Sequence, residues 1–337
     1  VVARHTADDL KHEKEEAQER AKQEKAMRAQ EARLKASEKM LARASQLISL
    51  GEREKAKKLL AMIPSVENNG MIISIAMQFA RVGAKREVMK MLRNVKKPNV
   101  SEALSLKLLR GKLPRGAKAI RGVPPKAACG LAMVAAQALD LKRYAEAESL
   151  SQAIRKTSPG CVLAWETEIR SLSELKAPNK TLKARVEAAL KVVGNTGSIH
   201  QIASEIYRSS GESLRSIEEA VLAARANPKE PGRLEGLARV MSEDPAVLLS
   251  YLEKIIKQEF KGNAAFVRDF AIGIAYHLAH RYGESQKYLL PLERVFRSTP
   301  ILKVYLALNE FNLGAKKQAA KRLKKARVKT EHDIELY

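Results

Sequence analysis

The pattern of apolar and polar positions divides the chain into two regimes. From about Asp8 to Leu50 charged side chains dominate, no glycine or proline interrupts before Gly51, and Glu16 with Arg20, Glu24 with Arg28 and Glu31 with Lys35 stand four residues apart, acid first. Pairs in that order stabilise a solvated helix by about 0.2–0.5 kcal/mol each, so the segment is predicted to be one long charged helix. A coiled coil would need an apolar seam repeating every heptad, but stepping from Leu10 meets Ala17, Glu24 and Glu31, and the seam fails. An apolar face develops only near Leu34, Met40, Leu41, Leu47 and Ile48. There the helix is expected to enter a packed array.

Beyond that point the chain reads as short amphipathic helices of about 12–16 residues. They are separated at Gly51, Pro64, Gly83, Pro98, Gly111, Pro124-Pro125, Pro159, Pro178, Gly194, Gly211, Pro228, Pro245, Gly262, Gly283, Pro300 and Gly314. The breaks recur with every helix rather than every domain. Such an alternation of helix, tight turn and helix predicts an all-α fold, an α-solenoid of antiparallel helix pairs in which each pair packs only on its neighbours. Composition agrees, because aromatic residues make up 4% of the chain, and Gly and Pro number only 17 and 12, leaving good helix formers dominant.

Four stretches carry a sharper signal. In Leu131 to Pro159, Ala135 and Ala138 are followed by Arg143-Tyr144-Ala145-Glu146-Ala147, then Ser151, Ile154 and Pro159. A second stretch has Tyr207, Gly211, Ser216, Ala220, Ala223 and Pro228. A third has Gly273 and Tyr276, then Tyr282 and Ser285, with Pro300 about three residues late for a repeat of this kind; a fourth has Ala307, Gly314, Ala319, Leu323 and Ala326. These resemble the tetratricopeptide repeat, in which small residues let two helices approach, an aromatic plugs the turn and a proline closes a unit of about 34 residues. Half-matches stand at Gly51 with Ala56 and Leu60, and at Gly83 with Val88 and Leu92, whereas Val100 to Pro125 and Pro231 to Lys261 do not fit. The resemblance implies a superhelix preceded by the long charged helix. The expected organisation is a charged helix over 1–47, basic degenerate repeats over 48–126, tetratricopeptide-like repeats over 127–230, and further repeats with a basic last helix over 231–337.

Charge changes the functional picture. The formal net charge is +24, high enough to expect an anionic partner. Half of that excess sits between Arg81 and Lys126, where the only acids are Glu87 and Glu102. From this cluster Arg81, Lys85, Arg86, Lys90, Arg93, Lys96, Lys97, Arg110, Lys112, Arg115, Lys118 and Arg121 are the residues expected to bind an anionic partner, since guanidinium and ammonium groups attract carboxylate and phosphate. The structural alternative is a solvated face that only confers solubility. A second basic run, Lys316 to Lys329, contains no acid. Phe79 is the only aromatic close to the first cluster, which argues against stacked, sequence-specific recognition of single strands and for contact with an acidic polymer, backbone or lipid headgroup.

No residues are assigned to catalysis, to a cofactor or to a metal. Gly111-Lys112-Leu113-Pro114-Arg115-Gly116-Ala117-Lys118 lacks the Gly-Lys-Ser/Thr order of a phosphate-binding loop and follows a helix instead of a strand. It reads as a basic inter-helix loop. His277 and His280 stand three apart on a predicted helix with no third ligand at a convincing spacing, and read as structural histidines. Cys129 and Cys161 are too few for a disulfide framework and read as ordinary small buried residues. With no apolar span or apolar leader, the expected location is reducing and cytoplasmic. The chain begins Val1-Val2-Ala3 without a methionine, as a fragment or processed product would.

The resulting expectation is a non-catalytic scaffold for protein partners, with a basic surface for an acidic one. The sequence leaves two other readings open: an accessory region of a larger enzyme, such as a cytoplasmic glycosyltransferase making an acidic surface polysaccharide, and a nonspecific RNA-binding repeat protein. An anionic polymer and a membrane surface accordingly stand beside a protein as expected partners.

Overall fold

A computed structural model describes residues 7–64, 68–114, 116–194, 196–230, 232–244, 247–248, 251, 262–296 and 299–326, with side chains from residue 16 onward except those of residues 117, 263 and 325. Every regular element among these residues is helical. The chain divides into two compact units, one comprising residues 1–119 with 137–143 and the other residues 120–136 with 144–337.

The first unit opens with α1 (Ala7–Ser49), whose 43 residues span about 65 Å at a rise of 1.5 Å each. Side chains 16–33 are all exposed. The three expected ion pairs form along this arm: Glu16–Arg20 at 3.2 Å, Glu24–Arg28 at 2.5 Å and Glu31–Lys35 at 2.6 Å. From Leu34 onward one stripe turns inward, with Ser37 and Ala44 fully buried and Leu34, Met40, Leu41, Leu47 and Ile48 half-buried. That stripe packs on α2 (Arg53–Ala61) and α3 (Asn69–Arg81). α3 is the apolar element of the unit, burying Ile72, Ile73, Ile75, Ala76 and Phe79 between α4 (Lys85–Leu92) and α5 (Val100–Leu109). Asn68 caps α3, and a reciprocal box between Asn99 and Glu102 caps α5, satisfying amide groups that a helix start otherwise leaves unpaired. The segment after α5 is irregular, as expected, with only a short 3₁₀ turn at Gly116–Lys118.

The described helices of the second unit form a series of neighbours. After the short α6 (Pro125–Ala128) come α7 (Ala132–Asp140, whose last four residues belong to the first unit), α8 (Tyr144–Thr157), α9 (Val162–Glu174), α10 (Asn179–Val193), α11 (Gly197–Ser209), α12 (Ser213–Ala226) and α13 (Arg233–Glu243). α14 (Asn263–Leu278), α15 (Tyr282–Leu292), α16 (Pro300–Asn312) and α17 (Lys316–Ala326) complete it. From α8 to α13 each helix packs on the next, and so do α13 to α17. Two apolar clusters fill the spaces between layers, one around Trp165, Ile169, Val186, Ile202 and Ile206, the other around Leu237, Phe270, Ile274, Leu289 and Tyr305. Burying each such side chain contributes about 1.5–3 kcal/mol.

The small-residue slots explain the hairpins. Ser204 on α11 and Ser216 on α12 exchange hydrogen bonds, each hydroxyl donating to the other's carbonyl at 2.8 and 2.9 Å. Ser285 likewise donates to the carbonyl of Gly273 at 2.7 Å, and a Cβ on Gly273 would lie 2.5 Å from Leu289 Cγ. Backbones come this close only where side chains are small. Ser204, Ala238, Gly273 and Ala307 stand 34, 35 and 34 residues apart, so Ala238 keeps the repeat spacing on the described helix after Pro231, where the sequence pattern does not match. There α13 forms and buries Leu234, Leu237, Ala238 and Met241.

Seven residues beyond Ser204, Gly273 and Ala307 the turns adopt left-handed backbone. Gly211 and Gly314 do so with φ of +76° and +87°, as glycine allows without cost. His280 takes the same place with φ of +58°, and Lys176, in the turn after α9, holds φ of +57°. This corrects the expectation that His277 and His280 share a helix: α14 ends at Leu278, and His280 is a turn residue.

The cysteine reading also needs correction. Cys129 and Cys161 form a disulfide, their Cα atoms 5.5 Å apart. The bridge ties the 3₁₀ turn Cys129–Leu131 to the residue that caps α9. The pairing depends on that proximity and is invisible in a separation of 32 residues. With the two cysteines joined, they no longer argue for a reducing location.

Candidate anionic-partner surface

The strongest charge concentration lies on α4 and the loops beside it. Val88 and Leu92 turn inward on α4, so Arg86, Lys90 and Arg93, spaced at i, i+4 and i+7, share the opposite face and are exposed together with Met89. Lys85 flanks them, and Lys96, Lys97, Arg110, Lys112 and Lys118 are likewise exposed within the same unit. Neither acid of the segment forms an ion pair with Arg86, Lys90 or Arg93 among the described residues. Glu102 accepts from the amide of Asn99 at 2.9 Å and from Asn69 at 3.2 Å, while Glu87 pairs with Lys57 at 3.4 Å. A backbone hydrogen bond first, then Lys57 and Arg86, holds the Glu87 carboxyl below its ordinary pKa.

Three of the expected residues stand apart. Arg81 is half-buried, donating to Gln78 at 3.0 Å and Ser45 at 3.3 Å, so its guanidinium fastens α3 to α1. Arg121 is exposed but belongs to the second unit, and Arg115 lies outside the described residues. The segment from Gly111 to Lys118 is an inter-helix loop, as its residue order predicts.

The second basic run presents a similar face. On α17, Lys317, Lys321 and Lys324 repeat the i, i+4, i+7 spacing and point away from the buried Ala319 and Ala326. Arg327 and Lys329 lie outside the described residues. In both hairpins, α3–α4 and α16–α17, the basic residues occupy the second helix while the first is apolar.

Charges that sequence reasoning missed are structural. Glu168, fully buried on α9, meets Arg155 of α8 at 2.6 Å and Arg185 of α10 at 3.1 Å, and the Arg155 guanidinium lies 4.4 Å from the Trp165 ring centre. Arg233 is buried at the start of α13 and donates to the Gly197 carbonyl at 2.9 Å. The only signal for them in the sequence is an acid or base interrupting an apolar helix face.

His277 belongs to a buried relay. Its Nδ1 meets Asn309 Oδ1 at 2.6 Å, Asn309 Nδ2 donates to Ser285 Oγ at 2.7 Å, and Ser285 reaches Gly273, tying α14, α15 and α16 together. Burial is the largest influence on His277 and lowers its pKa, outweighing the Asn309 bond that raises it. Among the described residues no three His, Cys, Asp or Glu side chains converge as metal ligands. The cleft lined in part by Gln201, Glu205 and Arg239 holds about 10 Å³, room for about one water.

The described hairpins are tetratricopeptide-like. That assignment rests on their antiparallel pairing, close small-residue contacts and 34-residue step. No protein-family model matches the chain, and no curated protein matches it. Solved structures that align with it include the C-terminal part of a tetratricopeptide repeat-containing protein from Cytophaga hutchinsonii, at 10% identity and a TM-score of 0.36, covering 88% of this chain and 98% of that one. Another is the Cut9-Hcn1 hetero-tetramer of the APC/C, at 11% identity and a TM-score of 0.34, covering 89% and 83%. Among the described residues no helix is long and apolar enough to cross a membrane.

Proposed function

We propose that this protein is a non-catalytic helical-repeat scaffold that binds other proteins, and that the exposed face of α4 docks an acidic segment of one of them. The observation supporting it is the arrangement of Arg86, Lys90 and Arg93 on one face, with the nearby Glu87 and Glu102 bonded to Lys57, Asn69 and Asn99 instead of to these three. Over seven residues the triad spans about 10 Å, a length suited to several carboxylates along one extended or helical segment. Uncompensated like charge at i, i+4 and i+7 weakens an isolated helix; an acidic partner turns that cost into attraction.

The test is charge reversal, R86E/K90E/R93E, in the full chain. Because these side chains are exposed, the melting temperature should stay within a few degrees of wild type. Affinity for a polyglutamate peptide, and for proteins recovered with the wild type at moderate salt, should fall about tenfold or more. Equal affinity would remove the docking face. Retention of RNA alone, falling linearly with the logarithm of salt concentration, would instead favour a nonspecific nucleic-acid binder.

A further inference from the structure

The α16–α17 hairpin carries a second surface whose chemistry differs from that of α4. Six of the eleven residues of α17 are basic and none is acidic. Among the described residues, Glu310 on α16 and Glu293 after α15 both pair with Arg322 of this helix. Its Nη2 lies 2.8 Å from Glu310 Oε1, and its Nη1 meets Glu293. Arg322 therefore turns inward onto these carboxylates, and Lys316, Lys317, Lys321 and Lys324 are exposed with no ion pair among the described residues.

Large apolar side chains adjoin these lysines. Phe311 and Leu313, at the tip where α16 turns into α17, are 53% and 51% exposed. Lys316 Nζ lies 5.7 Å from the Phe311 ring centre, so the aromatic tip and the basic face are continuous. An acidic peptide or a nucleic-acid backbone would answer the lysines and leave Phe311 and Leu313 in water. An anionic bilayer answers both, because its headgroups attract lysines and the apolar layer lies only about 5–10 Å beneath them.

We propose that the tip and outer face of the α16–α17 hairpin form a peripheral docking site for an anionic phospholipid surface, with Phe311 and Leu313 entering the headgroup–acyl boundary and Lys316, Lys317, Lys321 and Lys324 lying against the headgroups. The site shares no residue with α4, and its failure would leave the protein-docking proposal standing.

The test is co-sedimentation of the full chain with vesicles of phosphatidylcholine alone and of phosphatidylcholine mixed with phosphatidylserine. Binding is expected only to the mixed vesicles. In K317Q/K321Q/K324Q, partitioning should fall by about two orders of magnitude, at roughly fivefold per lysine removed. In F311S/L313S it should fall about tenfold or more, with the residual binding abolished by salt. Circular dichroism should show both variants as helical as the wild type; a variant that fails this check is replaced by K317Q/K324Q or F311S. Equal binding to both vesicle types, no vesicle binding, or wild-type partitioning of the lysine variant would each overturn the proposal. So would a lysine variant that loses RNA or polyglutamate binding while vesicle binding is unchanged.

Discussion

Breaking the Cys129–Cys161 bridge should lower the stability of the second unit by several kcal/mol. The cysteines are 32 residues apart in sequence, and the loop-closure relation for a cross-link of that length gives an entropy of about −12 cal/mol/K, or about 3.7 kcal/mol at 25 °C. For a unit of this size each kcal/mol corresponds to about 2–4 °C, so reduction should lower the melting temperature by roughly 7–15 °C. The assay is a thermal melt followed by circular dichroism, with and without reductant, beside the C129A/C161A variant. The variant should melt near the reduced wild type and be insensitive to reductant. Two observations would refute the reasoning: thiols that react stoichiometrically in the oxidised native protein, or a melting temperature unmoved once reduction is shown to be complete. The first would mean that the bridge is absent, the second that residual structure in the unfolded chain already restrains the loop.

Gly273→Ala should destabilise by about 1–3 kcal/mol, because the added Cβ would displace the fully buried Leu289; chemical denaturation measures it, and an unchanged midpoint would contradict the close approach of α14 and α15. Lys176→Gly should stabilise by about 0.5–1 kcal/mol, the relief of a left-handed lysine outweighing the greater freedom of an unfolded glycine, provided the turn keeps its φ of +57°. The lowered pKa of His277 means that the unfolded chain binds protons more readily than the folded one. Its contribution is therefore fully present above about 6.5 and is lost as pH falls through the lowered folded value. Compared with the wild type, His277→Gln should flatten the fall in stability over that range; parallel profiles would remove His277 as its source.

Much of the fold was legible in the order of residues because it depends on local chemistry. Acid-before-base pairs four apart specify a solvated helix arm, and Glu16–Arg20, Glu24–Arg28 and Glu31–Lys35 form as written. Glycine and proline breaks mark most turns. Small residues twelve apart, Ser204 with Ser216 and Gly273 with Ser285, mark where helices can touch. The turn at His280 was placed at Gly283 instead, because His280 holds left-handed backbone without the glycine that usually announces it. The repeat after Pro231 escaped detection because its helix keeps the apolar positions of the unit but not its marker residues.

The sequence by itself determined the helical class, the period and the concentration of positive charge, since all three are sums over local residue types. Tertiary structure decided what those charges and thiols do. It buried Glu168 between Arg155 and Arg185, drew Arg322 onto Glu293 and Glu310, engaged Arg81 with Ser45, and left Arg86, Lys90 and Arg93 in solvent. It also joined Cys129 to Cys161. The physical reason is that a charge or thiol is defined by its neighbours, and in a stack of helices those neighbours come from the next helix rather than from the adjoining residues.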